Sequence, residues 1–276
     1  MTRTINRIYC STGAFISGIN GRNHRLIAEY GSRLNCDGFE LMIYQDWYQR
    51  MDTVIYDLRA SELAFPVIHA DKRTGDLISA ANRESSEACF ELFKRNCNTA
   101  AEVGSEKIVL HIWGVPDSDK HIDRIFEDYR TLMEIADSFD LDMLVENCVC
   151  INKDPLTHFS KIIELNPDCG FVIDTRPAAF HGQLTDMFQD GLLWGNGHVR
   201  HIHINDYKGG LRDWTSLRPI LQPGKGEIDF ERFFSNLKAY AYTGSITLEA
   251  PSMLPDGVDI STLNTGLDFI RTGMSL

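Results

Sequence analysis

The chain has 276 residues, 43% of them hydrophobic, and carries 27 Lys+Arg against 39 Asp+Glu, a formal net charge of -12. That length and apolar content suffice for one substantial core, and an acidic surface repels phosphate backbones, which argues against nucleic acid as a partner. No run of 18 apolar residues occurs and Met1-Thr2-Arg3-Thr4-Ile5-Asn6-Arg7 shows no apolar leader core, so no membrane contact and a cytoplasmic location are expected.

Short apolar runs alternate with longer amphipathic ones. Strands are expected over residues 7–11, 38–43, 65–69, 107–111, 141–146, 170–174, 198–204 and 245–249. Before the fourth strand, Cys89, Leu92, Phe93, Cys97, Ala100 and Ala101 recur at spacings of three and four, with Gly104 where a helix would stop. Ile122, Ile125, Phe126, Tyr129, Leu132, Met133 and Ala136 repeat the pattern before the fifth. Before the eighth, Asp229 is placed to cap a helix carrying Phe230, Phe233, Phe234 and Leu237. Eight strand–helix alternations predict a parallel sheet closed into a (β/α)₈ barrel, with an open doubly wound sheet as the alternative. No Pro/Gly/Ser-rich linker or composition shift divides the chain, so one domain over residues 1–276 is expected.

The seven cysteines, Cys10, Cys36, Cys89, Cys97, Cys148, Cys150 and Cys169, are odd in number and scattered, as reduced, mostly buried thiols would be. Cys148 and Cys150, one residue apart with no second pair nearby, fit no common zinc site.

Four successive strands of the second half end in an ionisable residue: Glu146, Asp174, His203 and Glu249. In a barrel, residues closing strands meet at the carboxyl-end mouth, where His69, His111 and Glu40 would join them. A helix cap or ion pair explains any one of the four. Three unpaired carboxylates packed together, however, repel and resist desolvation, and a divalent cation removes that conflict. Three carboxylates and an imidazole suit one Mn²⁺, Mg²⁺, Co²⁺ or Zn²⁺ ion with coordination left for substrate.

At these residues the chain resembles the xylose-isomerase-like barrel superfamily, which includes sugar-phosphate isomerases and epimerases, ketose 3-epimerases, inosose and dehydroshikimate dehydratases and apurinic endonucleases. The matching pieces are Gly38-Phe39-Glu40-Leu41, Val67-Ile68-His69-Ala70, Val109-Leu110-His111, Leu144-Val145-Glu146-Asn147, Ile173-Asp174-Thr175, His201-Ile202-His203-Ile204-Asn205-Asp206 and Pro223-Gly224-Lys225-Gly226-Glu227-Ile228-Asp229-Phe230. The resemblance implies a metal held by Glu146, Asp174, His203 and Glu249. It further implies that Glu146 and Glu249 are the catalytic pair, one abstracting a proton next to a carbonyl and the other returning it through a metal-stabilised enediolate. A dehydratase of a cyclitol ketone or hydroxy acid, expelling a neighbouring hydroxyl, would use the same site, and a ligand-binding barrel without turnover is the reading from another class. The superfamily also leaves a homo-oligomer open.

Two departures stand out. The epimerases usually carry a histidine three residues after the sixth-strand aspartate, where this chain has Pro177, and some carry an arginine six residues after the seventh-strand histidine, where it has Gly209. Arg176 either grips a substrate carboxylate or phosphate in place of the first, or pairs with a local acid such as Asp174. Lys208 and Arg212 either take over anion binding from the second or form a solvated basic loop, and His181 is read as a loop histidine of lesser weight. With Pro177 at a zinc-ligand position of the endonucleases and no Asp-x-His pair over residues 213–221, DNA repair is disfavoured. His69 and His111 are expected to hydrogen-bond substrate hydroxyls, Glu40 to line the same mouth, and Trp113 and Trp47 to wall it for a sugar or cyclitol face. The expected enzyme is thus a metal-dependent isomerase or epimerase of a small sugar-like polyhydroxy carbonyl compound.

Overall fold

The computed structural model describes residues 6–114 and 117–275; residues 1–5, read above as free of a leader core, lie outside them. Eight parallel strands follow in chain order, β1 (Ile8–Ser11), β2 (Gly38–Met42), β3 (Val67–His69), β4 (Lys107–Leu110), β5 (Asp142–Glu146), β6 (Gly170–Asp174), β7 (Val199–Ile204) and β8 (Ser245–Leu248). Each pairs with its sequence neighbour, and β1 closes on β8 with Ile8 opposite Ile246 and Cys10 opposite Leu248. The barrel expected from the alternation is the fold found; the open sheet is not. His111 and Glu249 lie one residue beyond their strands.

Side chains on a strand alternate between its faces, and here the two faces form separate apolar clusters. Ile68, Ile108, Leu110, Val145, Phe171, Ile173, Ile202, Ile246 and Leu248 point outward and join the helices in the large core. Tyr9, Val67, Val109, Leu144 and Val172 point inward and form a small apolar plug. Two residues further along their strands, the same inward face carries His69, His111, Glu146 and Asp174. Period two therefore sets a polar layer directly above the plug.

One register shift matters. Phe171 pairs with Val199 but Val172 pairs with His201, so β7 carries an extra residue, Arg200, at a bulge. Val199 packs in the outer core, while His201 and His203 are fully buried beside Glu40. Arg200 turns to the rim and pairs with Asp142 at 2.6 Å.

The helices close the outer layer where their caps direct. The helix Arg83–Val103 starts at Asn82, whose side chain accepts from the Ser85 N–H, and stops at Gly104, whose φ of 77° suits the left-handed turn only glycine adopts freely. Asp229 caps Phe230–Ala239 by accepting from the Arg232 N–H. Asp154 caps Pro155–Leu165 through the Thr157 N–H. Among the described residues no helix is long and apolar enough to cross a membrane.

The outer core is tightest where Phe159 of the helix Pro155–Leu165 stacks on Phe171 of β6 with ring centres 4.0 Å apart. Both rings are fully buried. Phe159→Ala should lower the unfolding free energy by about 3–5 kcal/mol, read as a fall in the denaturation midpoint. A loss under 1 kcal/mol would mean that the stack does not hold this helix to the barrel.

Candidate metal centre

Glu146, Asp174, His203 and Glu249 come from four adjacent strands, and each presents a ligand atom within 4.8 Å of the others. Glu146 and Asp174 close β5 and β6, His203 lies in β7, and the Glu249 N–H donates to the Ile204 carbonyl at 2.9 Å. His203 Nδ1 stands 3.1 Å from Glu249 Oε2 and 3.7 Å from Glu146 Oε2. It is buried and aligned for a hydrogen bond to neither. An orphaned imidazole nitrogen facing carboxylates at such distances is what a cation with ligands about 2.1 Å away leaves between them, so these residues fit a divalent metal.

The layer below orients the imidazole. Glu40 Oε2 accepts from His203 Nε2 at 3.0 Å and from His201 Nε2 at 2.9 Å, and His201 is fastened in turn to Ser245 Oγ at 2.6 Å. A carboxylate on Nε2 keeps the proton there and would leave the Nδ1 lone pair free for an ion held with Glu146, Asp174 and Glu249. Glu40 is fully buried, so its expected place among substrate contacts is corrected: it supports His203 from beneath.

His69 is corrected in the same way; His111 meets the same carboxylate but is not closed off from the mouth. Glu146 Oε2 contacts His69 Nε2 at 3.1 Å and His111 Nε2 at 2.8 Å. His69 is fully buried and its Nδ1 donates to the Ala70 carbonyl at 2.9 Å, so both its nitrogens are engaged by protein. His111 keeps a small exposed edge. Both position Glu146.

Asp174 is set by the side chain after Glu146. Asn147 Nδ2 donates to the Asp174 carbonyl at 2.9 Å while Asn147 Oδ1 accepts the Asp174 N–H, a reciprocal pair that ties the ends of β5 and β6. Asn205 Nδ2 reaches Asp174 Oδ2 at 3.3 Å, and Asp174 Oδ1 also caps the short helix Thr175–Phe180. Asp206, next along, accepts the N–H groups of Tyr207, Gly226 and Ile228, which explains why Asn205-Asp206 and Gly224-Lys225-Gly226 occur together.

The charges interlock. Burial, then the Glu146 and Glu249 carboxylates, raise Asp174 to about 8. Burial also opposes ionisation of Glu146, but His111 and His203 outweigh it and hold Glu146 well below the usual range. For Glu249 the opposing burial is outweighed by His203 and then Lys72. Burial would neutralise His203, yet Glu40, Glu249 and Glu146 hold its proton on. Without an ion, protons on His203 and Asp174 offset the carboxylates.

Other expected contacts fall elsewhere. Trp113 is fully buried, donates to the Cys148 carbonyl at 3.1 Å and packs on His158, so it walls no mouth. Trp47 is likewise buried, donating to the Arg22 carbonyl at 2.8 Å. Large aromatic side chains after a strand are as useful between helices as at a mouth. Lys208 is exposed, and Arg212, also exposed, donates to the Lys153 carbonyl; neither joins the cluster. His181 is a buried acceptor of the Cys150 N–H at 3.0 Å, pushed to about 4 by burial and then Arg212. Arg176 donates to the Leu217 carbonyl at 2.8 Å and forms no ion pair with Asp174. A second group, Asp119, Cys150 and His158, is a clamp: Asp119 accepts the N–H groups of Ile151, Asn152 and Lys153 as well as the His158 contact.

Lys72 is the residue that the pattern did not reveal. It follows β3 by three residues, and its Nζ stands 4.0 Å from Glu249 Oε1. A cation in the loop after His69 is the signal that was available.

The chain matches the family described as xylose isomerase-like TIM barrel over residues 25–272. It belongs to that family. Among solved structures of the same fold, it superposes on the 3-keto-D-glucoside 4-epimerase of E. coli with a TM-score of 0.70 at 21% identity, covering 97% of this chain and 99% of that one. For the D-allulose 3-epimerase of Methylomonas sp. in complex with D-allulose, the TM-score is 0.70 at 15% identity, covering 98% and 97%. A probable endonuclease 4 from Mycobacterium ulcerans (strain Agy99) is 23% identical over 167 residues, 59% of this chain and 65% of that protein. Within the family barrel, the four-residue cluster lies at the carboxyl ends of the strands, the end at which such barrels carry their sites.

Two outcomes follow from the electrostatics. A cation must displace the protons on Asp174 and His203, so Mn²⁺ affinity should rise from pH 6 to pH 8 by about tenfold per pH unit for each proton released, and less steeply above about 8, where Asp174 is already ionised and only the His203 proton remains to be displaced. Calorimetric titrations at several pH values and in two buffers measure both slope and proton release; a pH-independent affinity contradicts it. Glu40→Gln should weaken Mn²⁺ binding about 10–100-fold while the fold, followed by circular dichroism, is kept.

Proposed function

We propose that the chain is a divalent-metal-dependent isomerase or epimerase of a small polyhydroxylated carbonyl compound of the sugar type. The observation that carries this reading is the orphaned His203 Nδ1 facing the carboxylates of Glu146 and Glu249, with Asp174 completing the set. A divalent cation there would polarise the substrate oxygens beside the reacting carbon and make its C–H more acidic. Glu146, Asp174, His203 and Glu249 would hold it.

The protein's own groups supply the proton transfer. Glu146 is kept ionised by His111 and His203 and held in place by His69 and His111, as a base pre-set in one orientation must be. Glu249 stands across His203 from it and is kept ionised with help from Lys72. One carboxylate takes the proton at its oxygen from one side of the carbon. The other, which must first take up a proton from solvent, returns it from its own side while the first later gives its proton up to solvent, and the configuration or the carbonyl position changes. Similarity to structures named as sugar epimerases supports the same class.

The test is solvent exchange. Mn²⁺-loaded protein incubated in ²H₂O with D-fructose, D-tagatose, D-allulose, D-fructose 6-phosphate or D-fructuronate should place one deuteron at a carbon next to the carbonyl of at least one product, seen by NMR. Glu146→Gln and Glu249→Gln should each lower that rate by about 10²–10⁴-fold. Interconversion without deuterium uptake, or variants with unchanged rates, would remove the two-carboxylate mechanism.

A further inference from the structure

The mouth holds two cations that neither ligate the ion nor move the proton. Lys72 enters from the loop after β3 with its side chain about half exposed, and its nearest carboxylate oxygen, on Glu249, is 4.0 Å away, beyond hydrogen-bond length. Arg176 lies in the short helix Thr175–Phe180 that follows β6. One terminal nitrogen is spent on the Leu217 carbonyl, while Nε is buried and has no partner. The Arg176 backbone N–H donates to Asp174 Oδ1 at 2.9 Å and Lys72 Nζ stands 4.0 Å from Glu249 Oε1, so both cations flank the ligand cluster.

The neighbouring cations differ. Arg22 is paired with Asp46 at 2.6 Å and Arg73 with Asp71 at 2.6 Å, and neither has charge to spare. Both line a cleft of about 400 Å³ that opens off Glu249 and Lys72 and is walled by Ile16, Met42, Tyr44 and Pro251. That cleft has room for the uncharged chain of a polyol. Lys72, beside Glu249 in the lining of that cleft, has no partner within hydrogen-bond length.

A count of the mouth points the same way. Glu146, Asp174 and Glu249 bring three negative charges, and a divalent ion would return two. Lys72 and Arg176 then turn the remaining deficit into one net positive charge, with Glu40 one layer lower and already holding two imidazole N–H groups. A buried guanidinium edge without an acceptor is costly unless a ligand supplies one, and that edge matches the two oxygens of a carboxylate or phosphate.

Building on the proposed reaction, we propose that the substrate is an acidic sugar derivative whose anionic group, a carboxylate or a phosphate, is held between Lys72 and Arg176, while its polyol chain runs into the cleft beside Glu249. Lys72 and Arg176 are then specificity-determining residues, and neutral ketoses are poor ligands.

Binding measured without turnover tests this independently of the chemistry. Mn²⁺-loaded protein is titrated calorimetrically with D-fructose, D-fructose 6-phosphate and D-fructuronate, which differ only at carbon 6, at low and high salt. At least one acid should bind tenfold or more tighter than D-fructose, with an advantage that shrinks in salt. Lys72→Met and Arg176→Met should each remove most of that advantage while leaving D-fructose binding within about twofold, and Arg176→Lys should restore part of it. Mn²⁺ titration of the same samples shows whether the variants keep the ion site, and their melting temperatures whether they fold. Acids that bind no tighter than D-fructose, or variants that weaken all three probes equally, overturn the proposal; failed deuterium exchange with intact acid selectivity would instead count against the reaction alone.

Discussion

Carboxylates gathered in a dry barrel mouth repel one another, and most of what surrounds Glu146, Asp174 and Glu249 serves to make that gathering tolerable. Removing a single carboxylate from water costs several kcal/mol unless it is paired and hydrogen-bonded. Here Glu146 has His69, His111 and His203 about it, and Glu40 has His201 and His203. His203 belongs to both sets. It is the point where the upper carboxylates and the lower one are joined, and its unpartnered Nδ1 marks where the protein's own groups stop.

The barrel makes this arrangement possible by separating the two faces of each strand. Outward residues bury against helices and supply the stability of the large core. Inward residues have only the plug of Tyr9, Val67, Val109, Leu144 and Val172 beneath them, which leaves the layer above free for polar groups. Stability and chemistry thus occupy opposite faces of the same short strands. The loop clamps at Asp119 and Asp206 extend that division, spending buried carboxylates on backbone N–H groups so that the connections above the mouth stay in place.

Glu146, Asp174, His203 and Glu249 were legible because strand ends are marked locally: a short apolar run, then an ionisable residue, four times in succession. The same rule gathered His69, His111 and Glu40 to one mouth but misjudged the depth of His69 and Glu40. Whether an inward side chain reaches a ligand or supports another side chain depends on strand stagger and on the neighbours across the barrel, as when Glu40 meets His201 and His203 from sequence positions more than 160 residues away. Trp113 shows a second limit. An indole two residues past His111 suits a sugar face, yet a one-step change of direction buries it against His158.

By itself, then, the sequence determined the eight alternating strands and helices, the helix stop at Gly104 and the cap at Asp229, and the set of ionisable residues available at the mouth. These are consequences of periodicity and local hydrogen bonding, which act over a few residues. Tertiary structure alone decided which of those residues touch, that Arg200 forms a bulge, that Glu40 supports His203, and that Lys72 approaches Glu249. Those pairings depend on barrel closure and on the register between strands, and both are properties of the whole chain.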